Sequence, residues 1–324
     1  MNQDNILRLL IQAGGSVSGE EMSRRLGVTR AAVWKGIEAL RSAGYEISSV
    51  PGQGYRLVSC PNRLSAGAVS ARLSPEAVVG HEIVCLEQVD STNTYLKRRG
   101  AEGASHGLAA LAEEQTGGRG RRGRRFESPR GAGLYLSVLL RPDCAPAEAV
   151  TLTAWVGVAV CDAVEQAAGV RPRIKWTNDI ILNGKKLCGI LTEFALLAES
   201  GEPDYVVIGM GVNMNQTVDT FQAQGLEDIA TSLALEGYPV EQNHLAVCLL
   251  EALDKLNRDF PANRADYLDR YRAHCVTLGR RVSFDGEGTL QTGTVAGVDD
   301  NFALLVDGDD GKRHIVSSGT VKMI

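Results

Sequence analysis

The segment from Gly117 to Arg130 constrains this chain most, because it is rich in both glycine and arginine. It holds six arginines against one acidic residue, Glu127, and four of its first seven residues are glycines. Glycine permits positive φ and a close approach to a ligand, and arginine offers N–H donors that suit carboxylate and phosphate oxygens. Apolar runs at 107–112 and 134–140 would anchor the segment in a core. The segment therefore predicts either a loop that closes over an anion or a solvated, non-specific polyanion surface.

Residues 118–123 of this segment also fit G-x-G-x-x-G, the pattern of dinucleotide-binding folds. That pattern requires a strand running into it and an apolar helix running out. Here an acidic turn at 113–115 precedes it, and Pro129 with Gly131 would break a following helix. The context excludes a Rossmann-type nucleotide site.

Composition bounds the class of protein. The 324 residues suffice for two or three domains, and 44% hydrophobic with 23% charged residues is usual for a globular protein. No apolar run approaches the roughly 20 residues that span a bilayer, and the N-terminal segment, which carries Asp4, does not fit a signal peptide. The seven cysteines form no C-x-x-C pair, and the five histidines form no H-x-x-x-H pair. We therefore expect free thiols in a reducing cytoplasm, no membrane segment and no histidine-based metal site.

The first sixty residues predict a winged helix-turn-helix. Ser18 and Glu21 form a capping box for a second helix that stops at Gly27, and Thr29 caps a third helix, of which Ala32, Val33, Ile37 and Leu40 would face inward. Two short strands at 45–50 and 55–58 then form a wing.

The third helix supplies candidate DNA contacts, which we expect to be exposed: Thr29, Arg30, Trp34, Lys35 and Arg41. Seven basic and five acidic residues give this region a charge of +2, whereas the whole chain carries −5. Because +2 is modest, we expect a dimer that binds two half-sites. The alternative is a helical module that docks on the protein's own body.

Two central motifs bear polar residues at the ends of predicted elements. Ser91, Thr92 and Asn93 follow a strand at 82–87 and precede a helix, so they predict an N-cap that can also bind a polar ligand group. Asn183-Gly184 predicts a tight hairpin between 180–182 and 186–193.

In that hairpin we expect Lys186 on the same face as Cys188 and Ile190, where it would meet an anion or else reach solvent at the hairpin end. Asp179, beside Asn178, is either a Mg²⁺ ligand or the start of a turn. A long apolar helix is expected at 147–167, with Val150, Ala154, Val158 and Cys161 on one side.

Four motifs closely resemble those of the biotin protein ligases, specifically the bifunctional bacterial ligases that also repress the biotin operon. They are G-R-G-R-R-G-R at 118–124, K-W-x-N-D at 175–179 with K-L-x-G-I at 186–190, S-T-N at 91–93, and G-x-N-x at 211–214. The resemblance covers the whole chain.

The expected fold class is α+β, with three domains. They are a winged helix-turn-helix DNA-binding domain at 1–62, a central mixed α/β catalytic domain of the biotin/lipoate-ligase type at 63–275, and an SH3-like β-barrel at 276–324. Short strands separated by Gly and Asp turns independently predict the barrel.

The resemblance implies that Lys186 and Arg121 are catalytic. The implied biotin contacts are Ser91, Thr92, Asn93, Gln115, Gly118, Arg119, Gly120, Arg121 and Lys186. The implied contacts of ATP and the adenylate, with Asp179 also a candidate Mg²⁺ ligand, are Arg122, Arg124, Lys175, Trp176, Asn178, Asp179 and Asn213. Two positions depart from the family: Thr177 stands where proline is frequent, and the loop at 213–226 has Phe221 but no tryptophan to stack on adenine.

The implied reaction uses ATP, Mg²⁺ and biotin. The biotin carboxylate attacks the α-phosphate to give biotinyl-5′-AMP, and a lysine of the biotin carboxyl carrier protein then displaces AMP. A carboxylate is already ionised at neutral pH, so the first step needs cations and not a general base. The resemblance further implies a homodimer that binds biotin operator DNA when the adenylate is bound. Two alternatives remain, a lipoate or octanoate ligase and a biotin-sensing transcription factor without catalysis.

Overall fold

The computed structural model of this chain describes residues 3–61, 63–197, 201, 203–286 and 289–324. The N-terminal part is the predicted winged helix-turn-helix. Ser18 Oγ accepts from the Glu21 amide at 3.0 Å, and Thr29 Oγ1 accepts from the Ala32 amide at 3.2 Å, so both predicted caps are present. Gly27 ends the second helix with φ 65°. The elements are α1 (Gln3–Ala13), α2 (Gly19–Leu26), α3 (Arg30–Ser42), β1 (Glu46–Val50) and β2 (Gly54–Ser59).

This N-terminal part has an apolar core of its own, built from Ile6, Leu7, Leu10, Met22, Val33, Ile37 and Leu40. Ala32, expected inside, is only partly buried, and Gly36 is buried in its place.

The short helix α4 (Ala66–Ser70) joins this core to the rest of the molecule. Ala68 packs in the N-terminal core, and its neighbour Val69 packs in the central core. The Gly67 amide donates to Asp4 Oδ1 at 3.1 Å, and a Cβ on Gly67 would lie 2.7 Å from Asp4 Cα. Helix α1 therefore rests directly on the backbone of α4.

The centre of the molecule is a seven-stranded sheet in the order β3-β4-β5-β9-β8-β7-β6. The β3–β4 pair is parallel and the other pairs are antiparallel. Its strands are β3 (Ile83–Leu86), β4 (Ala109–Ala112), β5 (Gly133–Leu140), β6 (Arg173–Lys175), β7 (Asp179–Leu182), β8 (Lys185–Leu196) and β9 (Pro203–Asn213). The helices around it are α5 (Thr92–Ala101), α6 (Pro146–Ala149), α7 (Leu152–Ala168), α8 (Val218–Gln222), α9 (Gln242–Asp259) and α10 (Arg264–His274).

The long apolar helix expected at 147–167 is broken into α6 and α7. Val150 lies at the break and is 66% exposed, contrary to the expectation that it faces inward. Ala154, Val158 and Cys161 are buried as expected. The stretch Pro146–Ala168 is long and apolar enough to cross a membrane, but most of it is buried inside the protein, as in a core helix.

The Asn183-Gly184 hairpin is confirmed, because Leu182 pairs with Lys185 across a two-residue turn with positive φ at both turn residues. The predicted face of Lys186 is wrong. The register shifts so that Ile181 pairs with Lys186 while Ile180 pairs with Cys188, which leaves Leu187 as a bulge. The bulge moves Lys186 off the Cys188 face and onto the face of Gly189, where a Cβ would lie 3.3 Å from the Lys186 Nζ.

The C-terminal part is a five-stranded antiparallel SH3-like barrel in the order β13-β12-β11-β10-β14. Its hydrophobic core is continuous with that of the central sheet. Tyr271 of α10 meets Phe302 edge-to-face at 5.4 Å, which fixes the barrel beside the sheet. The strands are β10 (Arg281–Gly286), β11 (Thr289–Val298), β12 (Leu304–Gly308), β13 (Arg313–Val316) and β14 (Val321–Met323).

Candidate active site and DNA-binding face

A cleft of about 1190 Å³ lies between the central sheet, the segment Gly117 to Arg130 (the arginine segment) and the edge of the barrel. It brings together residues from every motif noted in the sequence of the central region. Of the expected ligand contacts, Gly118 is buried and does not line the cleft, and the others line it: Ser91, Thr92, Asn93, Gln115, Arg119, Gly120, Arg121, Arg122, Arg124, Lys175, Trp176, Asn178, Asp179, Lys186 and Asn213.

One part of the cleft is cationic. Lys186 Nζ lies 2.5 Å from Asp179 Oδ1, and the bulge in β8 places it there. Arg121 Nη1 donates to Asn178 Oδ1 at 3.2 Å, while Asn178 Nδ2 donates to the Ile190 carbonyl at 2.8 Å. Burial lowers the pKa of the Arg121 guanidinium and Arg122 lowers it further, but Asp179 opposes them. Arginine remains protonated at neutral pH, so two cations, Arg121 and Lys186, face this part of the cleft.

Another part of the cleft is polar but uncharged. Ser91 occupies the N-cap position of α5, although its side chain does not bond the helix. The Thr92 amide donates to Gln115 Oε1 at 2.9 Å, and Gln115 Nε2 donates to Ser128 Oγ at 2.9 Å. Thr92 Oγ1 lies 2.7 Å from the hydroxyl of Ser137, a residue of β5 behind the cleft wall. These bonds hold Thr92 and Gln115 in one arrangement.

Asn93 differs from its expected role, because its amide is used within the protein. Asn93 Nδ2 donates to Glu193 Oε2 at 2.9 Å and to the Leu191 carbonyl at 3.3 Å, and Oδ1 accepts from Ser137 Oγ at 2.6 Å. Sequence reasoning missed both Ser137 and Glu193. Each left a sign, since Ser137 is the one serine or threonine in the apolar run 134–140 and Glu193 is an acid at the end of the mainly apolar segment 186–193.

The arginine segment bridges the sheet and the barrel. It forms a short 3₁₀ turn at Arg121–Gly123, and Arg122 has φ 58°. Arg122 Nη1 donates to Thr320 Oγ1 of the barrel at 3.1 Å. On the other side, a Cβ on Gly211 would lie 2.5 Å from the ring of Phe126, so the glycine lets this ring cover the sheet. Phe126 and Thr320 were not expected at the site.

Two expected adenylate contacts have their side-chain hydrogen bonds inside the protein. Trp176 is 5% exposed, and its Nε1 donates to the Phe302 carbonyl of the barrel at 2.8 Å. Asn213 is 6% exposed, with Nδ2 donating to the Thr231 carbonyl at 3.0 Å. Trp176 therefore joins the sheet to the barrel, and Asn213 holds the neighbouring loop.

Metal ligands are few around the cleft. Among the residues that the structure describes, no group of three or more His, Cys, Asp or Glu side chains could hold a metal ion. Asp179 contributes a single carboxylate, which is paired with Lys186. All seven cysteines are free thiols, and burial raises the pKa of Cys188 well above its usual range. The expectation of free thiols is confirmed.

The candidate DNA contacts have the expected exposure at four of five positions. Thr29, Arg30, Trp34 and Lys35 are exposed on α3 or at its N-cap, and Trp34 is 54% exposed. Arg41 is the exception. Its Nε and Nη2 donate to the Ile47 carbonyl at 2.9 and 2.6 Å, so the side chain is used to hold β1 against α3.

Comparison with known proteins identifies the family. The Biotin/lipoate A/B protein ligase family matches residues 85–213, an HTH domain family matches 2–56, and the Biotin protein ligase C terminal domain matches 277–323. The chain is 35% identical to the bifunctional ligase/repressor BirA of Bacillus spizizenii, over 97% of this chain and 96% of that protein. The chain belongs to the bifunctional biotin ligase/repressor family.

Further relatives agree with this assignment. The Escherichia coli bifunctional ligase/repressor BirA is 34% identical over 93% of this chain and 91% of its own length. The structure of the Aquifex aeolicus biotin protein ligase in complex with biotin and ATP superposes with a TM-score of 0.63 at 26% identity, covering 75% of this chain and 99% of that one. This ligase/repressor therefore has a biotin protein ligase domain that uses ATP and biotin, and a DNA-binding repressor domain.

Arg41 of this ligase/repressor holds strand β1 of the wing against α3, which leads to a prediction about DNA binding. We expect Arg41→Gln to weaken operator binding about tenfold because three hydrogen bonds to the wing, two to Ile47 and one to Ser49, are lost. The slope of log affinity against log salt should stay unchanged, since no phosphate contact is removed. Lys35→Ala, as the comparison, should reduce that slope by about one. Binding titrations across a salt series measure both, and a reduced slope in Arg41→Gln would restore Arg41 as a phosphate contact.

Proposed function

We propose that this ligase binds biotin and ATP side by side in the cleft and makes biotinyl-5′-AMP there. One observation carries the proposal: the cleft combines a cationic part, at Lys186 and Arg121, with an uncharged hydrogen-bonding part, at Thr92 and Gln115. Biotin has the matching halves, a carboxylate at the end of an apolar chain and a neutral ureido ring. A lipoyl group has a carboxylate but no hydrogen-bonding ring, so the uncharged part of the cleft favours biotin.

In the first step, a biotin carboxylate oxygen forms a bond to the α-phosphorus of ATP, and the bond to the bridging oxygen breaks to release pyrophosphate. Both reactants are anions, so the barrier falls when fixed cations stabilise the developing charge. Lys186 and Arg121 would serve this purpose, with Asn178 orienting the guanidinium through its 3.2 Å hydrogen bond. In the second step, the amine of a lysine on the biotin carboxyl carrier protein attacks the acyl carbon, and AMP leaves.

Two further arginines and Lys175 would bind the nucleotide. Arg122 and Arg124 are exposed along the cleft, and Lys175 also lines it. Because Arg122 already reaches Thr320, the segment can close the cleft against the barrel and keep water from the mixed anhydride. Mg²⁺ in such sites is held by one or two carboxylates together with substrate phosphates, and Asp179 suits that role. The ion would neutralise phosphate charge.

For the whole chain we propose three domains, 1–62, 63–275 and 276–324, in a cytoplasmic protein. Residue 62 itself lies outside the described residues. The adenylate, once held under the arginine segment, would favour a homodimer whose two winged helices bind the biotin operator. Support for a dimer comes from the small charge of +2 on the DNA-binding region, which is too little for strong binding by one copy.

Pyrophosphate release from ATP tests the enzymatic part of this proposal. Biotin should stimulate release, octanoate and lipoate should not, and an added carrier domain should become biotinylated. Stimulation by octanoate alone would indicate a lipoate-type ligase, and tight biotin binding without release would indicate a sensor. Operator binding should tighten, with dimer formation, only when biotin and ATP are both present. Operator affinity that ignores them would contradict the repressor mechanism.

A further inference from the structure

Behind the uncharged part of the cleft, the donor and the acceptor of each hydrogen bond can be assigned one after another, starting from Asn93. Its Nδ2 faces two groups that can only accept, Glu193 Oε2 at 2.9 Å and the Leu191 carbonyl at 3.3 Å. The amide nitrogen must therefore point to them, because an amide oxygen there would face two further acceptors. This orientation leaves Asn93 Oδ1 toward the cleft wall. A Cβ on Gly209 would overlap that oxygen, so the glycine makes room for it.

The orientation of Asn93 determines the donor and acceptor roles of Ser137 and then of Thr92. Ser137 Oγ lies 2.6 Å from Asn93 Oδ1, which carries no proton, so Ser137 must be the donor. A hydroxyl has one proton, and the 2.7 Å contact between Ser137 and Thr92 must then use the proton of Thr92. Thr92 Oγ1 consequently donates inward and offers only lone pairs to the cleft.

Gln115 also presents an acceptor, and a different set of hydrogen bonds determines its orientation. Ser128 Oγ donates to the Phe126 carbonyl at 3.0 Å, so it accepts from Gln115 Nε2 at 2.9 Å. Gln115 Oε1 therefore faces Thr92 and accepts its amide proton. The two oxygens, Thr92 Oγ1 and Gln115 Oε1, lie 3.1 Å apart in the cleft wall. Once the Thr92 proton is committed to Ser137, they form a pair of acceptors that suits a ligand N–H.

The start of this chain of bonds is a charged pair. Glu193 Oε1 lies 2.7 Å from Lys97 Nζ, and neither of these two side chains lines the cleft. Burial would raise the pKa of Glu193, but its bonds to Lys97 and Asn93 outweigh burial and hold that pKa below its usual range. Glu193 is therefore ionised at neutral pH and has no proton to give.

We infer that Glu193 is a positioning residue for biotin recognition: as a proton-free acceptor it fixes the amide of Asn93, and through Ser137 it makes Thr92 an acceptor for a ureido N–H of biotin. It does not touch the substrate. This inference rests on the proposed function, in which Thr92 and Gln115 meet the ureido ring.

The test replaces Glu193 by glutamine, whose amide can present either a donor or an acceptor to Asn93. The chain of bonds then loses its single direction, and one ligand hydrogen bond is lost. We expect KM for biotin to rise about tenfold, with kcat and KM for ATP unchanged. The matched control is Asp204→Asn, which removes a comparable ion pair with Arg141. Asp204 lies near the start of β9, whereas the cleft is lined by residues nearer the end of that strand. This variant should leave KM for biotin, KM for ATP and kcat within about twofold of the wild type.

A substrate analogue separates polarity from general structural damage. In the cyclic carbonate analogue of biotin, oxygen replaces both ureido nitrogens, so no N–H remains. Glu193→Gln should bind this analogue at least as tightly as the wild type, because the bond in question cannot form and a Thr92 hydroxyl free to donate would no longer repel the ring oxygens. If the variant weakens biotin and the carbonate equally, the role of Glu193 in setting polarity is excluded.

A second variant covers the case in which Glu193→Gln does not fold. Ser137→Ala interrupts the same chain of bonds at its middle, and it should raise KM for biotin by a similar factor while sparing the carbonate. Unchanged biotin KM in the variants that fold would overturn the inference. Failure of the proposed function looks different, since the wild-type protein would then release no pyrophosphate with biotin.

Discussion

Lys186→Ala should lower the rate of biotinyl-5′-AMP formation by about a hundredfold to a thousandfold, the range found when one charge-stabilising group is removed from an active site. The Lys186 ammonium lies 2.5 Å from Asp179. Without it, the Asp179 carboxylate faces a reaction between two anions, so the variant loses a cation and gains an uncompensated negative charge. The fold should persist because this side chain is 36% exposed and lies outside the core. Single-turnover pyrophosphate release measures the rate, and thermal unfolding checks the fold.

Lys185 is the matched control for this experiment. It precedes Lys186 in β8, but its Nζ donates to the Glu227 carbonyl, and it does not line the cleft. Lys185→Ala should change the rate by less than about threefold, as is usual for surface substitutions. Arg121→Ala should also slow adenylate formation, since Asn178 holds that guanidinium at the same part of the cleft. Normal adenylation by both Lys186→Ala and Arg121→Ala would refute the site assignment.

Gly209→Ala should raise KM for biotin by about tenfold to a hundredfold. The new methyl group would overlap Asn93 Oδ1, and that side chain cannot simply rotate away because Glu193, Leu191 and Ser137 hold it. Overpacking of this kind costs about 1–3 kcal/mol, which the site can relieve only by displacing Asn93 and Thr92. Steady-state kinetics with varied biotin, at saturating ATP, measure the effect.

Gly157→Ala provides the control for an added methyl group. In helix α7 a Cβ at position 157 would meet Ile174 at 3.7 Å, an ordinary contact, and alanine favours the helix by about 1 kcal/mol over glycine. This variant should keep its biotin KM and unfold at the same temperature or higher. If Gly209→Ala behaved in the same way, Asn93 would be free to move, and the rigid network inferred around it would be wrong.

Local features of the fold were predictable because neighbouring residues determine them. The caps at Ser18 and Thr29 satisfy amides three residues away, and the Asn183-Gly184 turn depends on the conformations those two residues adopt. The cleft residues were likewise predictable in large part, because chemistry and family resemblance both pointed to the arginine segment and to Lys186.

Features that depend on distant contacts were predicted less well. A one-residue bulge at Leu187 changed the face of Lys186, and it arises in the pairing with β7, not in the lysine's own surroundings. Trp176 and Arg41 carry groups suited to ligands, yet Phe302 and Ile47 bind those groups inside the protein. Composition alone cannot reveal whether a donor has already found an internal acceptor.

The sequence by itself determined the order of the domains, the class of chemistry and the positions of most groups that surround the cleft. These follow from short-range patterns and from the need for cations where two anions react. The tertiary structure decided the polarity of the cleft wall, because Glu193, Ser137 and Thr92 lie on three separate elements and meet only when the sheet assembles. Hydrogen-bond direction depends on which groups meet in space, and no local pattern encodes it.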